Sequence, residues 1–231
     1  MTLRGSIAVV IPALNEERAL PNVLAEIPRP LVGRVVVADN GSTDRTAELA
    51  RAAGAEVVSE PQRGYGAACL AALAHLAEQP PEIVVFLDGD YSDHPAELPA
   101  LVAPITQGRA DLVIGSRTRG RRERGALSIQ QQVGNAIACR ALRQLYGVEY
   151  SDLGPFRAIR WEALQGLKMQ DRDWGWTVEM QIKAAQRGLR YAEVPVSYRS
   201  RIGVSKISGS LRGAVRAGTK ILWVLGRYAW R

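Results

Sequence analysis

The sequence predicts an α/β fold: a mostly parallel sheet flanked by helices, with an amphipathic helix at the C-terminus. Three observations carry this expectation. Short, unbroken apolar runs recur through the first half of the chain, as strands buried on both faces do. Stretches with helical spacing separate them, the rhythm of right-handed βαβ units. Each run stops at polar or charged residues, as a strand must where it leaves the core.

The elements follow in order. Ile7–Ile11 is the first strand, stopped by Pro12, and the loop Ala13–Glu17 leads into a helix through Ile27. Val35–Ala38 is the second strand, and after it Ser42 or Thr43 is positioned to cap a helix reaching Ala53, with Asp44 in its first turn. Glu56–Val58 is a short third strand, and Gly64-Tyr65-Gly66 opens a small-residue helix to Glu78. Ile83–Leu87 is the fourth strand, and Pro95 starts the helix after it. Leu112–Ile114 is the fifth strand. A helix over Leu127–Tyr146, a strand leading to Ile159, a helix ending at Arg187 and an alternating strand over Tyr191–Tyr198 complete the pattern. The loop Asp171–Trp176 stands out, because tryptophan is rarely spent on a bare turn.

At 231 residues, with 47% hydrophobic and 23% charged residues, the chain fits a globular domain. We assign residues 1–207 to it and 208–231 to the terminal helix. The net charge of +7 is uneven: no acid follows Glu193, and Arg117, Arg119, Arg121, Arg122 and Arg124 form a second basic cluster. Such patches attract phosphates. Cys69 and Cys139 read as buried thiols of a reducing compartment. The early first strand leaves no room for a signal peptide, and no run approaches the roughly 20 apolar residues of a spanning helix. The location expected is cytoplasmic, peripheral on the membrane face if the terminal helix binds lipid. In that helix Leu211, Val215, Leu222 and Leu225 share a stripe with Ala214, Gly218, Ile221 and Tyr228, and Arg212, Arg216 and Lys220 form another. With Trp223 and Trp230 this reads as a helix lying in a membrane surface. The alternative is a helix packed on the core with a solvated basic face.

In parallel sheets the C-terminal strand ends face one crevice where ligands bind. Those ends carry Asn15 and Glu16, Asp39 and Asn40, Arg63 and Gly64, Asp88 and Asp90, then Ser116 and Arg117. Asp88 and Asp90 can hold a hard divalent cation, which in turn holds phosphate oxygens. By itself this pair reads equally as a solvated acidic turn. A dinucleotide-dependent dehydrogenase would need a Gly-rich first turn, where this chain has Pro12–Glu17. Nucleic-acid binding would use the basic patches but leaves the acids at the strand ends without a purpose, so no nucleic-acid partner is expected.

The ordered set Ile11–Glu17, Asp39–Asp44, Arg63–Ala68, Asp88-Gly89-Asp90 with Ser92, Asp93 and Pro95, Gly115–Arg117, Asp152–Arg157 and Gly203–Lys206 resembles a family 2 glycosyltransferase of the GT-A fold, dolichyl-phosphate or polyprenyl-phosphate sugar synthase type. The resemblance covers nearly the whole chain. It implies a metal-dependent, inverting hexosyltransferase moving a sugar from UDP-glucose or GDP-mannose to a polyprenyl phosphate at a membrane surface. Pro12, Asn15, Glu16 and Asp39 would hold base and ribose, Arg63 and Gly64 would lie against the nucleotide, and Asp88 and Asp90 would bind Mg2+ or Mn2+. Arg117, Arg201, Ser205 and Lys206 would receive the acceptor's phosphate. The chain departs from the family pattern at Asn40, often an acid, and in lacking C-terminal spanning helices.

A phosphate acceptor arrives ionised and needs cations rather than a base. A hydroxyl acceptor needs a carboxylate, for which Asp152 and Glu179 are the candidates. A non-catalytic nucleotide-sugar-binding subunit is the remaining rival.

Overall fold

The computed structural model describes residues 6–203, 219–221 and 223–228. Its strands are β1 (Ile7–Ala13), β2 (Arg34–Asp39), β3 (Glu56–Ser59), β4 (Ile83–Phe86), β5 (Leu112–Ser116), β6 (Arg157–Arg160) and β7 (Tyr191–Pro195). The helices are α1 (Leu20–Glu26), α2 (Thr46–Ala52), α3 (Tyr65–Leu76), α4 (Leu98–Thr106), α5 (Ile129–Tyr146), α6 (Trp161–Leu167) and α7 (Trp176–Gln186). A 3-10 turn, Pro95–Glu97, leads into α4.

The strands form one sheet in the order β3-β2-β1-β4-β6-β5-β7. Pairs β1·β2, β1·β4, β2·β3 and β5·β7 are parallel. β6 runs antiparallel between β4 and β5. Because side chains alternate faces, each central strand feeds two cores. Ala8, Val10, Val84 and Phe86 pack on the face covered by α3 and α7, and Ile7, Val9, Ile11, Ile83 and Val85 on the face covered by α1 and α4. That two-sided burial is why these strands read as continuous apolar runs. Cys69 and Cys139 are buried free thiols, as expected.

Two local expectations are corrected. Neither Ser42 nor Thr43 caps α2, whose N-cap position is Arg45, and Asp44 precedes the helix, whose first-turn acid is Glu48. The Ser42 hydroxyl accepts from Asn15 N at 2.9 Å instead, and Thr46 N donates to Asp44 Oδ1 at 3.0 Å. Tertiary bonding between the β1 and β2 loops outcompetes the local cap.

The terminal helix is described only in part. Residues 219–221 and 223–228 are helical, and Val224, Leu225 and Tyr228 are buried in the core on the α7 side. The Tyr228 hydroxyl donates to Glu179 Oε1 at 2.7 Å, and Lys220 pairs with Asp171 at 2.8 Å. In these residues the stripe packs on the core, and Trp223 stays 53% exposed. Ser205, Lys206 and the other residues of the helix expected over 208–231 lie outside the described residues. No helix among the described residues is long and apolar enough to cross a membrane.

Candidate active site

The C-terminal ends of β1, β2 and β4 and the N-terminus of α3 border a cleft of about 430 Å³. Pro12, Glu16, Asn40, Arg63, Gly64, Asp88, Asp90 and Arg201 line it, joined by Tyr65, Asp173 and Trp174. The acids are deeply set. Asp90 is 4% exposed and Asp93 1%. Asp90 Oδ1 accepts from Ser92 N at 2.9 Å, and its Oδ2 pairs with Arg201 at 2.9 Å. Asp88 N donates to Asp93 Oδ2 at 3.3 Å. One oxygen each of Asp88 and Asp93 is buried without a hydrogen-bond partner, and the Tyr65 hydroxyl lies beside Asp88 without a well-aligned bond. Burial, then the charge of Asp90, pushes the Asp88 carboxyl up to about 7. Burial, then the charge of Asp88, holds Asp93 well above the usual carboxylate range. Crowded carboxylates with an unsatisfied buried oxygen fit a divalent cation. Among the described residues no three ligating side chains converge, so donor phosphates and water would complete the shell, as is usual for hard ions.

Asn40 shapes the opposite wall. Its Nδ2 donates to Glu60 O at 2.9 Å and Gln62 O at 2.8 Å, and its Oδ1 accepts from Gly64 N at 2.8 Å. An acid could not make the two donor contacts, so the departure at this position has a structural reason. Gly64, expected to approach the nucleotide, and Gly66 both serve a packing need. A Cβ at Gly64 (φ +146°) would meet Arg172 O at 2.1 Å, and one at Gly66 would meet Asp171 O at 1.9 Å. Gly66 N and Ala67 N donate to Asp173 O and Arg172 O, at 3.2 and 2.9 Å, so the Trp174 loop docks against the start of α3.

The structure separates the remaining predicted residues. Asn15 (φ +52°) accepts from Thr43 N at 2.8 Å, tying the β1 and β2 loops together. Asp39, 8% exposed, accepts from Ser42 N at 3.2 Å. Arg117, expected at the acceptor's phosphate, has its Nε and Nη2 on Asp152 at 2.9 and 2.7 Å. Asp152 and Glu179 are likewise occupied, Glu179 by Lys183 at 2.7 Å and by Tyr228. A bidentate pair of this kind is strong and geometrically fixed.

The family model for glycosyl transferase family 2 matches residues 8–168. The chain belongs to that family. It is 42% identical over 217 residues to an uncharacterized glycosyltransferase of Mycobacterium tuberculosis, covering 92% of this chain and 94% of the relative. It is 38% identical over 212 residues to the dolichyl-phosphate hexose transferase of Haloferax volcanii, covering 90% and 89%. Its fold matches glucosyl-3-phosphoglycerate synthase from Mycobacterium tuberculosis, solved with Mn2+, UDP-glucose and phosphoglyceric acid, at TM-score 0.79 and 27% identity over 97% of this chain and 80% of that one.

This family 2 protein is therefore a glycosyltransferase with a GT-A fold. Sequence reasoning gave no site role to Tyr65, Asp93, Asp173 or Trp174. Asp93 had a signal, sitting three residues beyond Asp90 in the same loop, and Trp174 had one in its unusual loop. Tyr65 lies within the Arg63–Ala68 motif, but only folding sets its hydroxyl beside Asp88.

Proposed function

We propose that the enzyme transfers a hexose, with inversion, from a nucleotide sugar such as UDP-glucose or GDP-mannose to a polyprenyl or dolichyl phosphate. One observation carries this reading: the cleft combines Asp88 and Asp90 with Arg201, while Asp152 and Glu179 are held by Arg117 and Lys183. A phosphate nucleophile needs no base, and Asp88 and Asp90 are grouped where a donor diphosphate would need a metal. Asp88 and Asp90 would hold Mg2+ or Mn2+, which when bound stabilises the charge of the departing nucleoside diphosphate. Pro12, Glu16, Arg63 and Gly64, with Asp39 and Asn15 behind them, would border the nucleotide. Arg201, with Ser205 and Lys206, would orient the acceptor's phosphate. The relative from Haloferax volcanii supports a lipid-phosphate acceptor by its name.

A membrane-surface location follows from the same reading. Ile129, Val133 and Ile137 are exposed by 75, 52 and 52% along one side of α5, close in sequence to exposed Arg121, Arg122 and Arg124. An apolar stripe with neighbouring arginines suits an anionic bilayer. A soluble hydroxyl acceptor is the second reading, favoured by the fold match to glucosyl-3-phosphoglycerate synthase and by Asp173, a cleft carboxylate able to act as base. The test supplies Mn2+, labelled UDP-glucose or GDP-mannose, and either polyprenyl phosphate or 3-phosphoglycerate. Label entering the organic phase supports the first reading; label retained only on the soluble acid overturns it.

A further inference from the structure

Most arginines near the acidic loop are committed. Arg117 is clamped on Asp152, Arg157 on the carbonyls of Leu153, Gly154 and Thr177, and Arg199 on Glu26 and the Tyr91 ring. Arg201 differs. Its Nη2 touches Asp90 Oδ2 at 2.9 Å and Glu16 Oε1 at 3.6 Å, and its buried Nε has no hydrogen-bond partner. Its neighbour Ile202 N donates to Asp90 O at 3.0 Å, which keeps the guanidinium at the acidic loop. The guanidinium edge formed by Nε and Nη2 is the one that would grip a phosphate bidentately. That edge is partly spent on Asp90.

We propose that Arg201 is an exchangeable counter-charge: it holds Asp90 until a divalent cation binds there, and its freed Nε–Nη2 edge then takes a phosphate monoester of the acceptor. The proposal rests on the reading of Asp90 as a metal ligand and of the acceptor as a phosphate. Cation and acceptor phosphate then bind with positive coupling. Each strengthens the other by the same factor, because the coupling free energy is shared. Removing Arg201 has two opposite effects. Asp90 loses a competitor, so the metal binds more tightly, and the phosphate loses its grip. A residue that only held the loop together would weaken both.

Calorimetry on the full chain separates these outcomes. Mn2+ is titrated with UDP present, and farnesyl phosphate and 3-phosphoglycerate are each titrated with and without Mn2+ and UDP. In the wild-type protein, Mn2+ with UDP is expected to tighten one phosphate by about tenfold or more, within the usual range of such couplings. In Arg201→Gln, Mn2+ affinity rises about threefold and the coupling falls to near unity. Arg201→Lys, which keeps the charge, retains the wild-type Mn2+ affinity but loses most of the coupling. Weaker Mn2+ binding in Arg201→Gln, or equal wild-type phosphate affinity with and without Mn2+, overturns the proposal. If neither phosphate binds, the phosphate-acceptor reading itself falls; the Mn2+ titration, which needs no acceptor, tells that failure apart. Preference for farnesyl phosphate assigns the site to a lipid acceptor, and preference for 3-phosphoglycerate to a soluble one.

Discussion

Asn40→Asp replaces one side-chain atom in a residue that is 5% exposed. The partners fix the amide's orientation: Gly64 N needs an acceptor, and the carbonyls of Glu60 and Gln62 need donors. The acid keeps the first contact. It loses both donated bonds, each contributing about 1 kcal/mol, and sets a carboxylate oxygen against two carbonyls about 2.9 Å away. Adding that repulsion, we expect a loss of about 3 kcal/mol, or a Tm drop of about 6–12 °C for a chain of this size. Burial and the facing carbonyls raise the acid's pKa in the folded state, so the deficit shrinks as the pH falls towards about 4 and the protonated acid regains one donor. Chemical and thermal denaturation across pH measure it, with Asn40→Ala as the control for lost bonds without added charge. A variant within about 0.5 kcal/mol of wild type at pH 7 refutes the argument that this amide clips residues 60–64 to the cleft wall.

Other outcomes follow from single contacts. Gly66→Ala drives a Cβ towards Asp171 O, 1.9 Å away, so it should cost about 1–3 kcal/mol and weaken nucleotide binding by displacing the Trp174 loop; unchanged stability would contradict that packing. The Glu56 carboxyl is held down to about 2 by hydrogen bonds from Arg34 and His75 against a burial penalty, so its stabilisation is present above pH 4.5 and fades as pH falls towards 2. Discounted for the 37% exposure of its side chain, Glu56→Gln should cost about 1 kcal/mol at pH 7 and nothing at pH 2, read as a Tm difference that closes on acidification. Val133→Glu with Ile137→Glu, both on the exposed side of α5, should abolish binding to anionic vesicles while changing stability by less than about 0.5 kcal/mol each; retained vesicle binding would remove α5 from the membrane reading.

Much of the fold was legible because its central strands are buried on both faces. A run such as Ile83-Val84-Val85-Phe86 has no polar position to hide. What local pattern could not say was which strands pair, so the antiparallel β6 between β4 and β5 appears only in three dimensions. The crevice residues were legible from their places at strand ends. Their commitments were not. Arg117 meets Asp152 from 35 residues away, and no spacing announces that. Gly64 and Gly66 were recognisable as special, but what crowds them is a loop about a hundred residues later. The amphipathic stripe of the terminal helix reads as a bilayer helix, although a core helix shows the same pattern, because both reward the same periodicity. Contacts of Tyr228 and Lys220 set the described part on the core.

On the proposed mechanism Asp88 and Asp90 hold a donor's diphosphate through a divalent cation. Calorimetric titration of UDP tests it most directly, on wild type and Asp90→Asn, with Mn2+ or with EDTA. Wild-type binding with Mn2+ should weaken at least about tenfold in EDTA, and the Asp90→Asn protein should fold normally but gain nothing from Mn2+. Equal UDP affinity with and without metal in the wild-type protein would contradict it.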